Sequence, residues 1–175
     1  VLGVKENFAI APWHCLSKLA LPGYYLEILD FRSGEREVVG HMKGSDKLVR
    51  QMSHDLGMVE LFTGRQFKDI TKLFAVKIDF NSFTSNESHT FAYERESPIS
   101  HWEQLTTQYR DVHVPHVPSL PKAITGVTST AAYIGRCGSP LITSFRKRHA
   151  ITGIYFAANT SMNGGVWEPV DIATI

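Results

Sequence analysis

The sequence predicts an all-β protein made of two groups of strands. Short apolar or alternating runs follow one another along the chain, separated by Gly, Asn, Ser and Pro at intervals of roughly ten residues. Helical periodicity is weak throughout. A polar stretch at 97–120, punctuated by prolines, is typical of a linker that crosses the surface. We therefore expect two barrels or sandwiches, an N-terminal one at 1–96 and a C-terminal one at 121–175.

Each predicted strand is a short apolar or alternating run that ends at turn residues. The run at 73–80, for example, has an apolar start and a partial alternation, as in a half-buried strand. The predicted strands of the N-terminal part are 7–12, 24–31, 36–42, 48–52, 58–62, 73–80 and 89–93. Those of the C-terminal part are 123–130, 131–134, 141–145, 150–158 and 165–170. Short helical turns are expected only after His14 and at 65–72.

Composition limits the classes of function. The chain has 175 residues, 43% of them hydrophobic, which is enough for a sizeable core. A net charge of +1 excludes nucleic-acid binding that relies on bulk charge. The two cysteines, Cys15 and Cys137, are too few for a disulfide scaffold and fit a reducing compartment. There is no membrane-spanning run and no signal-peptide pattern, and Val1 at the start indicates a processed product, a polyprotein segment or a trimmed chain.

The segment around Cys137 is the most informative part of the sequence. Gly135 and Gly138 flank the cysteine, so the backbone can turn sharply and bring N–H groups close to a substrate carbonyl. Such donors stabilise an oxyanion, and a thiol beside them can act as a nucleophile. The alternative is a small buried cysteine in a glycine-rich turn.

A thiol protease also needs a base and, often, an acid that orients the base. His14 follows an apolar strand at a turn, and Asp55 stands at the start of another apolar strand. The chain order is therefore histidine, aspartate, cysteine. Cys15 is a weaker candidate for the nucleophile because no glycine flanks it, and Glu60 is the second candidate for the acid.

Together these segments resemble the chymotrypsin-like cysteine proteases of picornaviruses and related RNA viruses, the 3C-type family. Residues 12–15 resemble the histidine motif, and 55–61 resemble the acid motif. Residues 135–140 resemble the nucleophile motif, with cysteine in place of serine. Residues 153–158 resemble the following strand, which lines the substrate cleft in the family. The matches span almost the whole chain in the family's order.

This resemblance implies two chymotrypsin-like β-barrels with the active site in the cleft between them. It implies a cysteine endopeptidase that cleaves a viral polyprotein in the host cytoplasm, without a metal or organic cofactor. His14 is the implied general base, Asp55 orients it, and Cys137 is the nucleophile. The amides of Gly135 and Cys137 are the implied oxyanion donors. The implied substrate-binding residues are Ala132, Tyr155, Phe156 and Ala157.

Two features depart from the family pattern. Tyr155 stands where many members have a histidine that recognises glutamine, and Ala132 stands where they often have threonine. The resemblance therefore does not imply a strict preference for glutamine. In addition, only thirteen residues precede His14, so the first barrel is expected to be abbreviated or to lack its beginning.

A second class of function is suggested by the segment after the acid motif. Residues 65–70 resemble the segment with which picornaviral relatives contact viral RNA, which makes Arg65, Phe67, Lys68, Asp69 and Ile70 candidate RNA contacts. The basic run at 146–149 is a further candidate phosphate contact. The alternative to a protease is therefore a protease-like fold that serves mainly as an RNA-binding or structural module. The two histidines of the His-Val-Pro-His run at 113–116 have ligand-like spacing, but the prolines rule out a helix and no cysteine or acid pair completes a metal site, so we expect them to be surface loop histidines.

Overall fold

The computed structural model describes residues 1–30, 35, 37–93, 100–129, 135–159 and 163–175. Within these ranges the chain is built mainly of β-strands, with one four-residue α-helix and three short 3₁₀ segments. The strands are β1 (Leu2–Lys5), β2 (Phe8–Pro12), β3 (Tyr25–Asp30), β4 (Glu37–Lys43), β5 (Val49–Gln51), β6 (Leu56–Glu60), β7 (Ser85–Tyr93), β8 (Ser100–Asp111), β9 (Lys122–Val127), β10 (Pro140–Phe145), β11 (Arg148–Asn159) and β12 (Gly164–Pro169). The helix is α1 (Trp13–Leu16), and the 3₁₀ segments are Ser17–Ala20, Thr71–Leu73 and Lys77–Ser82.

The first half of the chain forms a four-stranded sheet and a separate hairpin. The sheet has the order β1-β2-β6-β5 and is antiparallel throughout. The hairpin consists of β3 and β4. Alternate residues of the sheet, such as Ala9, Ala11 and Val59, are buried in one core cluster, and side chains of the hairpin pack against that cluster. This packing gives the two-stranded hairpin a hydrophobic partner, which an isolated hairpin lacks.

The second half of the chain forms a closed six-stranded barrel. Its strand order is β10-β11-β12-β9-β8-β7, and each neighbouring pair is antiparallel. Closure leaves no strand edge unpaired. The interior is filled by large side chains, of which Trp167 and Leu141 are fully buried.

A third core cluster joins the four-stranded sheet to the barrel. It combines side chains from β1, β2 and β6 with side chains from β11 and the residues around it. Phe74, in the connection between the two parts, lies in this cluster and is 1% exposed. Its members are Val4, Ile10, Leu56, Phe74, Ile151, Ile154 and Val170. The interface is thus a continuous apolar core. The segments that carry His14, Asp55 and Cys137 come from both of the parts that it joins.

Several predictions about individual elements are wrong. Residues 100–111 form β8 rather than a linker, and with β7 they belong to the barrel, so the barrel begins well before residue 121. The reason is that no proline falls within 100–111, while the inward positions include the polar residues Glu103 and Thr107, which hide the alternation. Strand β1 was missed.

Two further segments differ from the sequence-based expectation. The predicted strand at 73–80 has only isolated bridges at Phe74 and Ala75, followed by 3₁₀ turns. There the carboxylate of Asp79 accepts the Val76 N–H and so favours a turn. The predicted helical turn at 65–72 is reduced to the 3₁₀ segment Thr71–Leu73. The predicted strand at 131–134 lies outside the described residues. The all-β class with a closed barrel is confirmed, whereas a complete two-barrel arrangement stays a prediction.

Candidate active site

His14 is held by Asp55 at the first turn after β2. The imidazole Nδ1 of His14 lies 2.6 Å from Oδ2 of Asp55, and the His14 backbone N–H donates to Oδ1 over 2.8 Å. The Trp13 N–H donates to the Asp55 carbonyl oxygen over 2.7 Å. The carboxylate thus accepts an N–H at the start of α1, where backbone donors lack partners within the helix. One side chain fixes both the helical turn and the ring that it carries.

The contact with Asp55 determines the chemistry of the ring. An ionised carboxylate only accepts hydrogen bonds, so Nδ1 of His14 carries a proton and Nε2 is left as the basic atom. Asp55 is 5% exposed, whereas the imidazole is 41% exposed and open to a ligand. Glu60, the second candidate for the acid, lies on β6, where it pairs with Phe8. The acid that contacts His14 is Asp55.

Cys137 lies in a tight loop before β10. Gly135 and Gly138 have φ values of +100° and +102°, a region that side chains with a Cβ rarely occupy. The Gly138 N–H donates to the Tyr155 carbonyl oxygen over 2.9 Å, and the Ser139 N–H donates to the Arg136 carbonyl oxygen over 3.2 Å. Among the described residues, the backbone N–H groups of Gly135 and Cys137 have no backbone acceptor. Their role as oxyanion donors stays a prediction.

The loop brings Cys137 to His14. A ring nitrogen of His14 and the sulfur atoms of Cys15 and Cys137 all lie within 4.8 Å of one another. Cys137 is half-buried against the barrel core, whereas Cys15 is exposed. The structure therefore brings together all three predicted catalytic residues, and it adds the second cysteine to them.

The two sulfur atoms lie within 4.8 Å of each other, and each thiol affects the pKa of the other. The contact with Cys137 lowers the pKa of Cys15 to about 6, and the nearby His14 also lowers it, against the opposing effect of burial. The same contact raises the pKa of Cys137, as does its burial. These directions assign the negative charge of the pair to Cys15 and the S–H to Cys137.

Glu168 of β12 supports the loop that carries Asp55. Its Oε1 accepts the Asp55 N–H over 2.6 Å, and its Oε2 accepts the Ser53 hydroxyl over 2.7 Å. The side chain is 2% exposed, and burial raises its pKa. A carboxylate from the barrel thus positions the acid of the four-stranded sheet.

Arg136, the residue before Cys137, extends its side chain into the barrel and so anchors the loop. Its guanidinium is fully buried, with Nη2 3.7 Å from Oε2 of Glu103 and its centre 5.0 Å from the centroid of the Tyr155 ring. Glu103 in turn accepts hydrogen bonds from the backbone N–H and hydroxyl of Ser129. Buried charges are tolerated where they are paired in this way.

The predicted substrate-binding residues lie in different environments. Tyr155 is 3% exposed and packs edge-on against Trp167, with ring centroids 5.5 Å apart. Phe156 points to the other side of β11 and is buried as well, whereas Ala157 lines an adjoining groove of about 950 Å³. Ala132 lies outside the described residues. The substrate-binding roles of all four residues stay predictions.

The segment proposed to contact RNA packs along β1. The side chains of Phe67 and Ile70 are partly buried against the core clusters of the first half, and their N–H groups donate to the carbonyl oxygens of Glu6 and Val4. Arg65 and Lys68 are exposed, as is Asp69, which accepts the N–H and hydroxyl of Thr71. These contacts account for the apolar residues of the segment, and RNA binding stays a prediction.

Comparison with known structures identifies the fold. A catalytically inactive tobacco etch virus protease complexed with substrate matches with a TM-score of 0.60 and 14% identity, over 96% of this chain and 69% of the other. A chimeric murine norovirus NS6 protease matches with a TM-score of 0.53 and 13% identity, over 97% and 90%. The fold is that of the 3C-like, chymotrypsin-like viral proteases.

Deg5 also matches, with a TM-score of 0.59 and 15% identity, over 96% of this chain and 75% of the other. The chain spans about two thirds of the length of the tobacco etch virus proteases that it matches. No protein-family model and no curated protein matches the sequence.

No helix in the described part of the chain is long and apolar enough to cross a membrane.

Sequence reasoning missed two residues of this site. Glu168 lies more than a hundred residues from the acid that it supports, and a single glutamate in a strand carries no motif. His116 is exposed, as expected of a surface histidine, but the sequence did not predict that its ring meets that of His14 edge-on with centroids 5.7 Å apart. The proline-rich character of the segment around His116 predicts a loop but not the part of the surface that the loop covers.

Proposed function

We propose that the chain is a cysteine endopeptidase in which Cys137 is the nucleophile and His14 is the general base. The observation that supports this most strongly is the meeting of three side chains from distant parts of the sequence. The Nδ1 atom of His14 lies 2.6 Å from Asp55, and a ring nitrogen of His14 lies within 4.8 Å of the Cys137 sulfur. This is the order acid, base, nucleophile that peptide hydrolysis through an acyl-enzyme requires.

The proposed reaction has two halves. In the first, His14 accepts the proton of the Cys137 thiol, the sulfur attacks the scissile carbonyl carbon, and the tetrahedral oxyanion is bound by the amides of Gly135 and Cys137. The C–N bond then breaks as His14 gives its proton to the leaving amine, which leaves a thioester on Cys137. In the second half, His14 deprotonates a water molecule, which hydrolyses the thioester and restores the thiol. Asp55 holds the imidazole in the required tautomer throughout.

The proposed substrate is a viral polyprotein. Support for this comes from the 3C-like fold and from the tobacco etch virus and murine norovirus proteases that share it. Since Tyr155 is packed against Arg136 and Trp167, we propose that the pocket for the residue before the scissile bond differs from the glutamine pocket typical of the family. The preferred side chain would be found by digestion of a peptide library.

The first prediction concerns the identity of the nucleophile. Cys137→Ala should reduce peptide hydrolysis on the order of 10⁶-fold, as removal of a protease nucleophile does. Cys15→Ala should retain most activity, because only Cys137 lies in the glycine loop with the candidate oxyanion donors. The rates would be measured with the best peptides from the library, and folding would be checked by circular dichroism.

The matched pair of cysteine variants makes this test decisive. Equal loss of activity in both folded variants, or loss only in Cys15→Ala, would contradict the assignment. Absence of hydrolysis in the folded parent chain with every peptide pool would contradict the endopeptidase proposal itself.

A further inference from the structure

The two thiols and the imidazole form a cluster that peptide hydrolysis does not require in full. Hydrolysis uses His14 and Cys137, whereas Cys15 has no role in the proposed reaction. Yet one ring nitrogen and both sulfur atoms converge to within 4.8 Å of one another. We propose that His14, Cys15 and Cys137 bind a soft divalent cation, and that the ion that this donor set fits is Zn²⁺.

The donor set carries the argument for zinc. Thiolate sulfur and imidazole nitrogen are the ligands that Zn²⁺ prefers, and zinc binds them at about 2.3 and 2.0–2.1 Å. Two sulfur donors and one nitrogen donor at these distances around one ion lie about 3.5–3.8 Å from one another in a tetrahedral arrangement. The three donor atoms of the cluster lie within 4.8 Å of one another, so each separation has to shorten by at most about 1.3 Å to reach these values. Hard cations such as Mg²⁺ prefer oxygen ligands and would bind poorly.

The surroundings of His14 suit a metal ligand. Its Nδ1 is engaged by Oδ2 of Asp55 at 2.6 Å, which leaves Nε2 unprotonated and available. A carboxylate behind a ligating histidine is a common arrangement at zinc sites, where it fixes the ring and raises its basicity. The second contact of Asp55, from its Oδ1 to the His14 N–H at 2.8 Å, also holds the backbone of α1, which carries Cys15 as well.

Access to the cluster is open on one side. His14 and Cys15 are exposed at the turn after β2, and Cys137 is half-buried opposite them. Three protein ligands leave the fourth position of a tetrahedral zinc to water, which an exposed site can supply. Two ligands thus come from the four-stranded sheet and one from the barrel, so the ion would bridge the two parts of the fold.

Zinc at this site would block the chemistry proposed above. The sulfur of Cys137 and the basic nitrogen of His14 would both be bound to the metal and could neither attack a carbonyl nor accept a proton. This consequence rests on the proposed function, whereas zinc binding itself does not. A test by spectroscopy, without substrate, therefore separates the two.

The experiment uses Co²⁺ as a spectroscopic probe of the reduced protein. The chain would be titrated with Co²⁺ under anaerobic conditions after a thiol assay has confirmed two free cysteines. We expect a thiolate-to-cobalt charge-transfer band in the near ultraviolet, tetrahedral d–d bands in the visible, and saturation at one ion per chain. Added Zn²⁺ should abolish these bands, because zinc displaces cobalt from such sites.

Variants identify the ligands. Cys15→Ser should weaken Zn²⁺ binding, measured by competition with a chromophoric chelator, by more than about 100-fold, since even loss of an outer-shell partner costs 10–100-fold. Cys137→Ser and His14→Ala should each weaken Zn²⁺ binding to a similar extent. His101→Ala is the matched control, because this exposed histidine of β8 lies outside the cluster and its removal should leave binding unchanged.

Two results would overturn the proposal. One is the absence of a charge-transfer band when the folded, reduced parent chain is titrated. The other is zinc affinity that survives in Cys15→Ser within the error of the competition assay. Both results are independent of peptide hydrolysis, so an inactive but zinc-binding protein would refute the proposed function alone.

Discussion

Asp55 illustrates how much of the site depends on a single residue. Its two oxygen atoms contact the ring and the backbone N–H of His14, and its own carbonyl oxygen accepts the Trp13 N–H. The side chain therefore sets the position of the ring, its tautomer and the start of α1. Glu60, which the sequence offers as a second acid, makes none of these contacts.

At this scale we predict the effect of Asp55→Asn on hydrolysis. The amide can still accept the His14 N–H, but its NH₂ group facing Nδ1 favours the tautomer in which Nε2 carries the proton. The ring then cannot accept the Cys137 proton, and kcat/KM should fall by about 10²- to 10⁴-fold, the usual contribution of general acid–base catalysis. Glu60→Gln, the same chemical change at the second candidate acid, should leave the rate unchanged. A rate loss that is equal in the two variants would contradict the role of Asp55.

Strand β12 and the loop before β6 show how one element positions another. Glu168 accepts two hydrogen bonds from that loop, through the Asp55 N–H and the Ser53 hydroxyl. Because the carboxylate is buried, its pKa is raised above the ordinary value of 4.5. The folded state thus binds a proton at Glu168 more tightly than the unfolded state does, so the free energy of unfolding falls as pH rises from 4.5 through the raised pKa.

We predict that two substitutions of Glu168 affect the free energy of unfolding differently. Glu168→Ala leaves the buried Asp55 N–H without its acceptor and should lower the free energy of unfolding by about 1–3 kcal/mol. Glu168→Gln can keep both contacts, since its amide oxygen accepts the Asp55 N–H and the Ser53 hydroxyl can turn to accept from the NH₂ group. It should also remove the part of the pH dependence that Glu168 causes. Urea unfolding at several pH values measures both effects, and an unchanged pH slope in Glu168→Gln would contradict this account.

The loop that carries Cys137 is anchored by the pairing of Arg136 with Glu103 of β8. Removing one member of a buried ion pair strands the other charge and typically costs 3–5 kcal/mol, whereas replacing both by apolar or neutral groups costs much less. Arg136→Met should therefore destabilise the fold by about 3–5 kcal/mol. The double variant Arg136→Met with Glu103→Gln should recover a large part of that loss. Equilibrium unfolding of the single and double variants would measure the coupling, and additive losses would show that the pair is not coupled.

For the molecule as a whole, sequence reasoning was most accurate where chemistry constrains short motifs. His14, Asp55 and Cys137 were predicted, and the structure brings them together, because turns, glycines and ionisable side chains leave local signals. The strands were predicted where one face is apolar. They were missed where the buried face is polar, as in β8, whose inward side chains include Glu103 and Thr107. Sequence periodicity reports hydrophobicity rather than burial itself.

Long-range contacts were beyond the reach of the sequence. The pairing of Cys15 with Cys137, and the support of Asp55 by Glu168, depend on how the four-stranded sheet docks on the barrel through the core around Phe74. No local pattern determines that docking. A buried glutamate or arginine is recognisable only once its partner is known, since a charged residue in a sequence is more often at the surface.

The hydrogen bonds between Glu168 of β12 and the loop that carries Asp55 can form only late in the synthesis of the chain. During synthesis the N-terminal part of a chain emerges first, at about 5–20 residues per second. His14 and Asp55 leave the ribosome early, Cys137 follows much later, and Glu168 comes later still. Until β12 has closed the barrel, the loop bearing Asp55 lacks its carboxylate support. We therefore expect that the hydrolysis proposed above begins only after translation has passed residue 168.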